Sequence, residues 1–202
     1  MRPLGVFTRS TGVRSRSFFR KNRIRFFLKK DLERTPVDLV KTPSGRIRVS
    51  TPEATALDLV RYHDRAGHLN HVATVLAELA EKIDAQKLVQ AAEADGELAA
   101  AQRLGYLLEL VGAAKVASRL AKWLDGHSPR PVLLRPGIEG KEIPRNARWR
   151  VIVNHKVEPD DVWSKGTSSL HGDSKHLGRR THRWSKTSSC RAPSWKSFVI
   201  HY

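Results

Sequence analysis

Ser50-Thr-Pro-Glu-Ala-Thr-Ala-Leu-Asp-Leu-Val-Arg-Tyr62 is the stretch on which the fold turns. Ser50 and Glu53 have the Ser-x-x-Glu spacing of a capping box, in which a hydroxyl and a carboxylate each take a backbone donor left free in the first helical turn. Pro52 sits in that turn, where losing its N–H costs least. Ala54, Leu57 and Val60, with Ala56 and Leu59 across the stripe, then recur at helical spacing, so the segment reads as a helix buried along one side. Taken alone, it announces only a core.

Downstream, the same periodicity continues. It predicts helices near 52–62, 69–81, 84–94, 97–111 and 113–124, separated by Gly67, by Asp84 as an N-cap, by Asp95-Gly96 and by Gly112. Leu98, Ala101, Leu104, Leu108 and Val111 form one apolar stripe, and Val116, Leu120 and Trp123 another. Upstream the period falls to two: Arg23-Ile-Arg-Phe-Phe-Leu-Lys29 and Arg46-Ile-Arg-Val49 alternate basic and apolar residues, as strands with one cationic face do. Thr35-Pro36 and Thr42-Pro-Ser-Gly45 supply the turns between them. Pro131-Val-Leu-Leu-Arg135 and Trp149-Arg-Val-Ile-Val153 look like closing strands.

The order of elements defines an α+β protein. Basic strands occupy 20–50, a central bundle of about five helices 51–126, and short closing strands 130–155. Residues 1–19 read as a flexible basic arm. Residues 161–202, with nine serines, three tryptophans and four histidines but few aliphatics, show no sustained period and read as a low-order basic tail.

Charge follows the same partition. The formal net charge is +17, of which residues 1–50 carry +11, residues 51–160 zero and residues 161–202 +6. A neutral helical middle flanked by cationic ends fits a polyanionic partner, because each Lys or Arg set against a phosphate releases condensed counterions. Nucleic acid suits this better than an acidic membrane, since no apolar run of membrane-spanning length and no signal-peptide core is present. A single cysteine, Cys190, cannot form an internal disulfide and fits a reducing, cytoplasmic setting.

Chemistry is sparse. His63, His68 and His71, or His171, His176 and His182, have gaps that superficially suit a metal, but zinc sites draw on Cys or carboxylate partners in set spacings, and no metal or other cofactor is expected. Gly-x-Ser-x-Gly, a phosphate loop and His-Glu-x-x-His are all absent from the sequence. Glu53 and Asp58 fall on different helix faces and do not read as paired catalytic carboxylates, so the chain is not expected to be an enzyme.

Two basic surfaces remain as candidate nucleic-acid contacts. Arg20, Lys21, Arg23, Arg25, Lys29 and Lys30 form the denser one, preceded by Arg14 and Arg16 and interleaved with Phe18, Phe19, Phe26 and Phe27. Lys115, Arg119 and Lys122, at i, i+4 and i+7, form the second on one side of the last helix. Both suit contacts to the DNA phosphate backbone, which position a protein without reading bases. The phenylalanines leave an alternative open, a non-enzymatic module that stacks unpaired bases of RNA or another single strand. Solvated strand and helix faces would carry the same residues.

Four segments resemble a known family in their order and separation: Ser50 to Tyr62; Gly67-His-Leu-Asn-His-Val-Ala-Thr-Val-Leu-Ala-Glu-Leu79; Gln102-Arg-Leu-Gly-Tyr-Leu-Leu-Glu109; and Ala147-Arg-Trp-Arg-Val-Ile-Val-Asn154 with Val157-Glu-Pro-Asp160 behind it. Over residues 20–160 they are similar to the C-terminal domain of AbiEi antitoxins, the transcriptional regulators of type IV, abortive-infection toxin–antitoxin systems of bacteria. The resemblance implies an antitoxin and autoregulator whose functional partner is a nucleotidyltransferase-type toxin. The Gly-Ser and paired-Asp signature of such a toxin is absent here, which suits the antitoxin side. Members usually carry an N-terminal winged helix-turn-helix that reads the operator. This chain reaches its β-rich part almost at once, so a loss, a misplaced start or a fragment are the alternatives, and sequence-specific repression does not carry over with the resemblance.

Overall fold

In a computed structural model the structure describes residues 4–8, 16–19, 22–29, 32–138, 144–159 and 200–201. Two sheets and a helical bundle make up the α+β architecture. The larger sheet has six strands, β1 (Leu4–Thr8), β2 (Arg16–Phe19), β3 (Asn22–Leu28), β4 (Val37–Thr42), β5 (Gly45–Ser50) and β9 (Ile200–His201), in the order β2-β3-β1-β9-β5-β4. The smaller has β6 (Val132–Leu133), β7 (Arg145–Asn146) and β8 (Val151–Ile152), in the order β6-β8-β7. One expectation changes as a result. The first 19 residues, read as a flexible arm, contribute β1 and β2, both hydrogen-bonded to β3. The tail read as low-order lies outside the described residues except for Ile200 and His201, which bridge β1 and β5.

Between β5 and β6 along the chain come α1 (Pro52–Arg61), α2 (His63–Ala66), α3 (His68–Leu79), α4 (Ala85–Asp95), α5 (Leu98–Leu110) and α6 (Ala114–His127). The sixth helix, absent from the sequence expectation, is the single turn α2. It is too short to show a period, and it ends at Gly67, whose φ of 104° suits only a residue without a side chain. None of the helices among the described residues is long and apolar enough to cross a membrane.

The start of α1 departs from the capping box. Ser50 is the last residue of β5, where its backbone is committed to the strand, and its hydroxyl meets that of Thr55 at 2.6 Å. Capping passes to Thr51, whose Oγ1 accepts from Ala54 N at 3.3 Å. Glu53 is thereby released: its Oε1 accepts from Asp84 N at 2.9 Å and ties the start of α1 to the start of α4. Asp84 itself caps α4, accepting from Gln86 N at 2.8 Å and Lys87 N at 2.9 Å, as its position in the sequence predicts.

The apolar face of α1 is buried as its spacing requires, through Ala54, Ala56, Leu57 and Val60. It packs with Leu69, Val72 and Leu76 of α3, Leu88 of α4, Leu104, Leu107 and Leu108 of α5, and Leu120 and Leu124 of α6. Each such aliphatic side chain contributes roughly 1.5–3 kcal/mol on burial.

Two of the segments quoted from the sequence turn out to be one interface. Gln102, Gly105 and Glu109 lie at i, i+3 and i+7 on a single face of α5. Gln102 Nε2 donates to the carbonyls of Arg130 and Trp149 at 3.0 and 3.1 Å. Gly105 leaves room for the Trp149 ring, since a Cβ there would lie 1.9 Å from it. Glu109 accepts from Trp149 Nε1 at 2.7 Å and pairs with Arg148. Arg103 adds a hydrogen bond to the Leu133 carbonyl at 2.8 Å. The closing strands are therefore anchored by one helix face, and they are shorter than the sequence suggests because residues 147–150 form a turn.

Candidate nucleic-acid interface

Lys115, Arg119 and Lys122 project from α6 into solvent, while Ala117, Leu120, Ala121 and Leu124 on the opposite side enter the core. Helical spacing explains both faces at once. Arg119 Nη1 reaches Gln86 Oε1 at 3.4 Å, and none of the three cations has an ion-pair partner among the described residues. This face is open to an anion.

Of the N-terminal group, Arg23, Arg25 and Lys29 are among the described residues. Arg23 and Arg25 occupy alternate positions of β3, opposite Phe18 and Arg16 of β2. Arg20, Lys21 and Lys30 lie outside the described residues. Lys29 has to be removed from the interface, because it points inward: Nζ lies 2.7 Å from Asp58 Oδ1, with side-chain exposures of 4% and 2%. An ammonium enclosed in this way is compensated by its carboxylate and has no access to a phosphate.

Lys29 and Asp58 begin a line of buried or half-buried ions that joins the strands to the bundle. Arg61, one turn after Asp58, bonds to Asp95 at 2.5 Å and to Glu97 at 2.6 Å. Burial pushes the Asp58 carboxyl above its ordinary range, against the opposing pull of Lys29, and burial likewise raises Asp95 against Arg61. Asp58 Oδ2 and Arg61 Nε have no hydrogen-bond partner among the described residues. Beside them a cleft of about 340 Å³ is floored by Ala54, Leu57, Ala91 and Ala94. Small residues on facing helices make this space.

Glu53 and Asp58 are both buried, yet each has its own partner, Asp84 N for one and Lys29 for the other, so the two carboxylates are not a pair. His63 is enclosed, with Nδ1 at 3.1 Å from the Val60 carbonyl. No cluster of three His, Cys, Asp or Glu able to hold a metal occurs among the described residues. His171, His176 and His182 lie outside them. Asp58, the partner that redirects Lys29, carried no signal in the sequence beyond being an acid on an otherwise apolar helix.

The described chain thus joins strands with alternating basic positions to a helical bundle in which Lys29 and Arg61 are ion-paired, and it carries one cationic face on α6. The sequence matches the AbiEi antitoxin C-terminal domain over residues 6–110, just over half of the chain. The protein belongs to that family. The matched span begins in β1 and ends with α5, so it takes in the N-terminal strands and stops before the segment around Trp149 that packs on α5. No curated protein and no solved structure matches the chain.

Proposed function

We propose that this protein acts as an antitoxin that counteracts a nucleotidyltransferase-type toxin, and that it contacts DNA through its phosphate backbone as part of autoregulation. Family membership over residues 6–110 is the observation that carries the antitoxin role. The charge distribution supports the DNA contact: Lys115, Arg119 and Lys122 are exposed with no ion-pair partner among the described residues, and Arg23 and Arg25 hold alternate positions of β3. Within this reading the helical bundle offers shape and the basic surfaces offer charge, and the protein performs no chemistry of its own.

Coexpression tests the antitoxin role. A cell carrying a nucleotidyltransferase-type toxin gene found beside this one should regain growth when this chain is expressed with it. Failure to rescue by a protein that melts cooperatively and accumulates normally would remove that role. The DNA contact is tested separately, because changing Arg23 and Arg25 together to Ala should flatten the salt dependence of DNA affinity by about two units in log–log slope.

A further inference from the structure

The β4–β5 hairpin carries three cations that belong to neither basic surface read from the sequence. Lys41, Arg46 and Arg48 are exposed, and none has an ion-pair partner among the described residues. Lys41 stands directly opposite Arg46, and Leu39 opposite Arg48. The two-residue loop Pro43-Ser44 closes the ladder at Thr42 and Gly45, and the bond from Thr51 N to the Pro36 carbonyl at 3.1 Å keeps the same phase at the other end. Lys41 and Arg46 therefore form a non-hydrogen-bonded pair, the closer type, with Cα atoms about 4.5 Å apart. Two like charges held at that separation oppose the hairpin unless an anion lies between them.

Register extends this side of the hairpin across the sheet. Residues directly opposite one another share a face. Arg48 is opposite His201, His201 opposite Phe7, and Phe7 opposite Phe27, while Arg25 is opposite Gly5 and Arg16. Positions 16, 23 and 25 thus fall on the same face as 41, 46 and 48. Among the described strand residues, that face holds six Lys and Arg positions and no acidic one, because Asp38, the one acid of the hairpin strands, alternates to the other side.

We propose that the β4–β5 hairpin is a phosphate-binding element, with Lys41, Arg46 and Arg48 gripping the backbone of duplex DNA on the same sheet face as Arg23 and Arg25. Arg46 and Arg48 are two residues apart on one strand, about 6.6 Å, and Lys41 faces them from the next, so a phosphate chain crossing the hairpin meets all three. The cross-strand repulsion is then relieved by the ligand. The proposal rests on the reading that the protein holds DNA.

The test is a salt titration of affinity for a fluorescently labelled DNA duplex, with a single strand of the same length in parallel, using the full chain. Lys41→Gln/Arg46→Gln/Arg48→Gln should lower the slope of log affinity against log salt by about 2.7, at roughly 0.9 per phosphate contact. Its melting temperature should be unchanged or slightly higher. Lys115→Gln/Arg119→Gln/Lys122→Gln serves as the independent reference. If the hairpin triple keeps the wild-type slope while the α6 triple lowers it, the hairpin proposal is overturned and DNA binding stands. Wild-type protein with no salt-dependent affinity for duplex would overturn both. Tighter binding of the single strand, lost in the hairpin triple, would overturn duplex DNA as the occupant.

Discussion

The helical bundle and the β4–β5 hairpin use the same charged residue types in opposite ways. In the bundle, Lys29 is enclosed against Asp58, Arg61 is held by Asp95 and Glu97, and Glu53 accepts from the Asp84 backbone. In the hairpin, Lys41, Arg46 and Arg48 are exposed, set against one another and without an ion-pair partner among the described residues. A cation enclosed with its counterion fixes how two elements meet. A cation left in solvent without one is available to a partner. Net charge cannot distinguish these cases, whereas position does, and under the proposed DNA contact the contrast separates the cations open to a phosphate from those already committed to a counterion.

The sharpest way to break the contrast is at the buried pair. Asp58→Ala should cost about 3–5 kcal/mol, because it strands the Lys29 ammonium in the interior. Lys29→Met combined with Asp58→Leu should recover most or all of that loss in a denaturant titration. A double variant as unstable as the single would show that the ion pair does more than neutralise a buried charge.

Next in size is the anchor of the closing strands. Gly105→Ala places a methyl group within 1.9 Å of the Trp149 ring, which is 1% exposed. Forcing the ring out should cost about 1–3 kcal/mol and shift the tryptophan fluorescence toward that of a solvated indole. Unchanged emission would mean the helix and ring adjust without separating.

At the hairpin the sign reverses. Lys41→Gln removes one member of a like-charge pair and should raise stability by a few tenths of a kcal/mol at low salt, an advantage that vanishes as salt screens the repulsion. A loss of stability would place a counterion at Lys41.

The smallest effect is a pH dependence at the α4 cap. Two backbone donors hold the Asp84 carboxyl below its ordinary value of 3.8. A carboxylate lowered on folding stabilises the fold fully above that value and loses its contribution as pH falls through the folded-state pKa. The gap in melting temperature between wild type and Asp84→Ala should therefore be constant near neutral pH and narrow below about pH 4. A gap that widens on acidification would contradict the cap.

What the sequence revealed depended on range. Helix spacing, the Asp84 cap and the Gly67 and Gly96 stops are local, and all were legible. The partners of Lys29 and Glu53 lie 29 and 31 residues away, and no local pattern indicates them. A lysine at the end of an alternating strand looks the same whether it faces solvent or an aspartate on a helix yet to come. β6 and β8 fall inside the closing strands that the sequence predicts, whereas the two-residue β7 and the single-turn α2 are too short to show a period. Arg46 and Arg48 were visible as an alternating run and Lys41 was not, and the shared face they form with Arg23 and Arg25 needs the ladder through β9, which no sequence pattern supplies. The α6 face was legible because a helix fixes its own geometry.

Lysine reactivity tests the division between enclosed and open cations most directly. Native protein, alone and saturated with a DNA duplex, would be labelled briefly with an amine-acylating reagent and read by mass spectrometry at Lys29, Lys41, Lys115 and Lys122. Lys29 should resist labelling in both samples, and the other three should label rapidly in the free protein and be shielded by DNA. Rapid labelling of Lys29 in the native fold, or full labelling of Lys41, Lys115 and Lys122 under saturating duplex, would contradict the account.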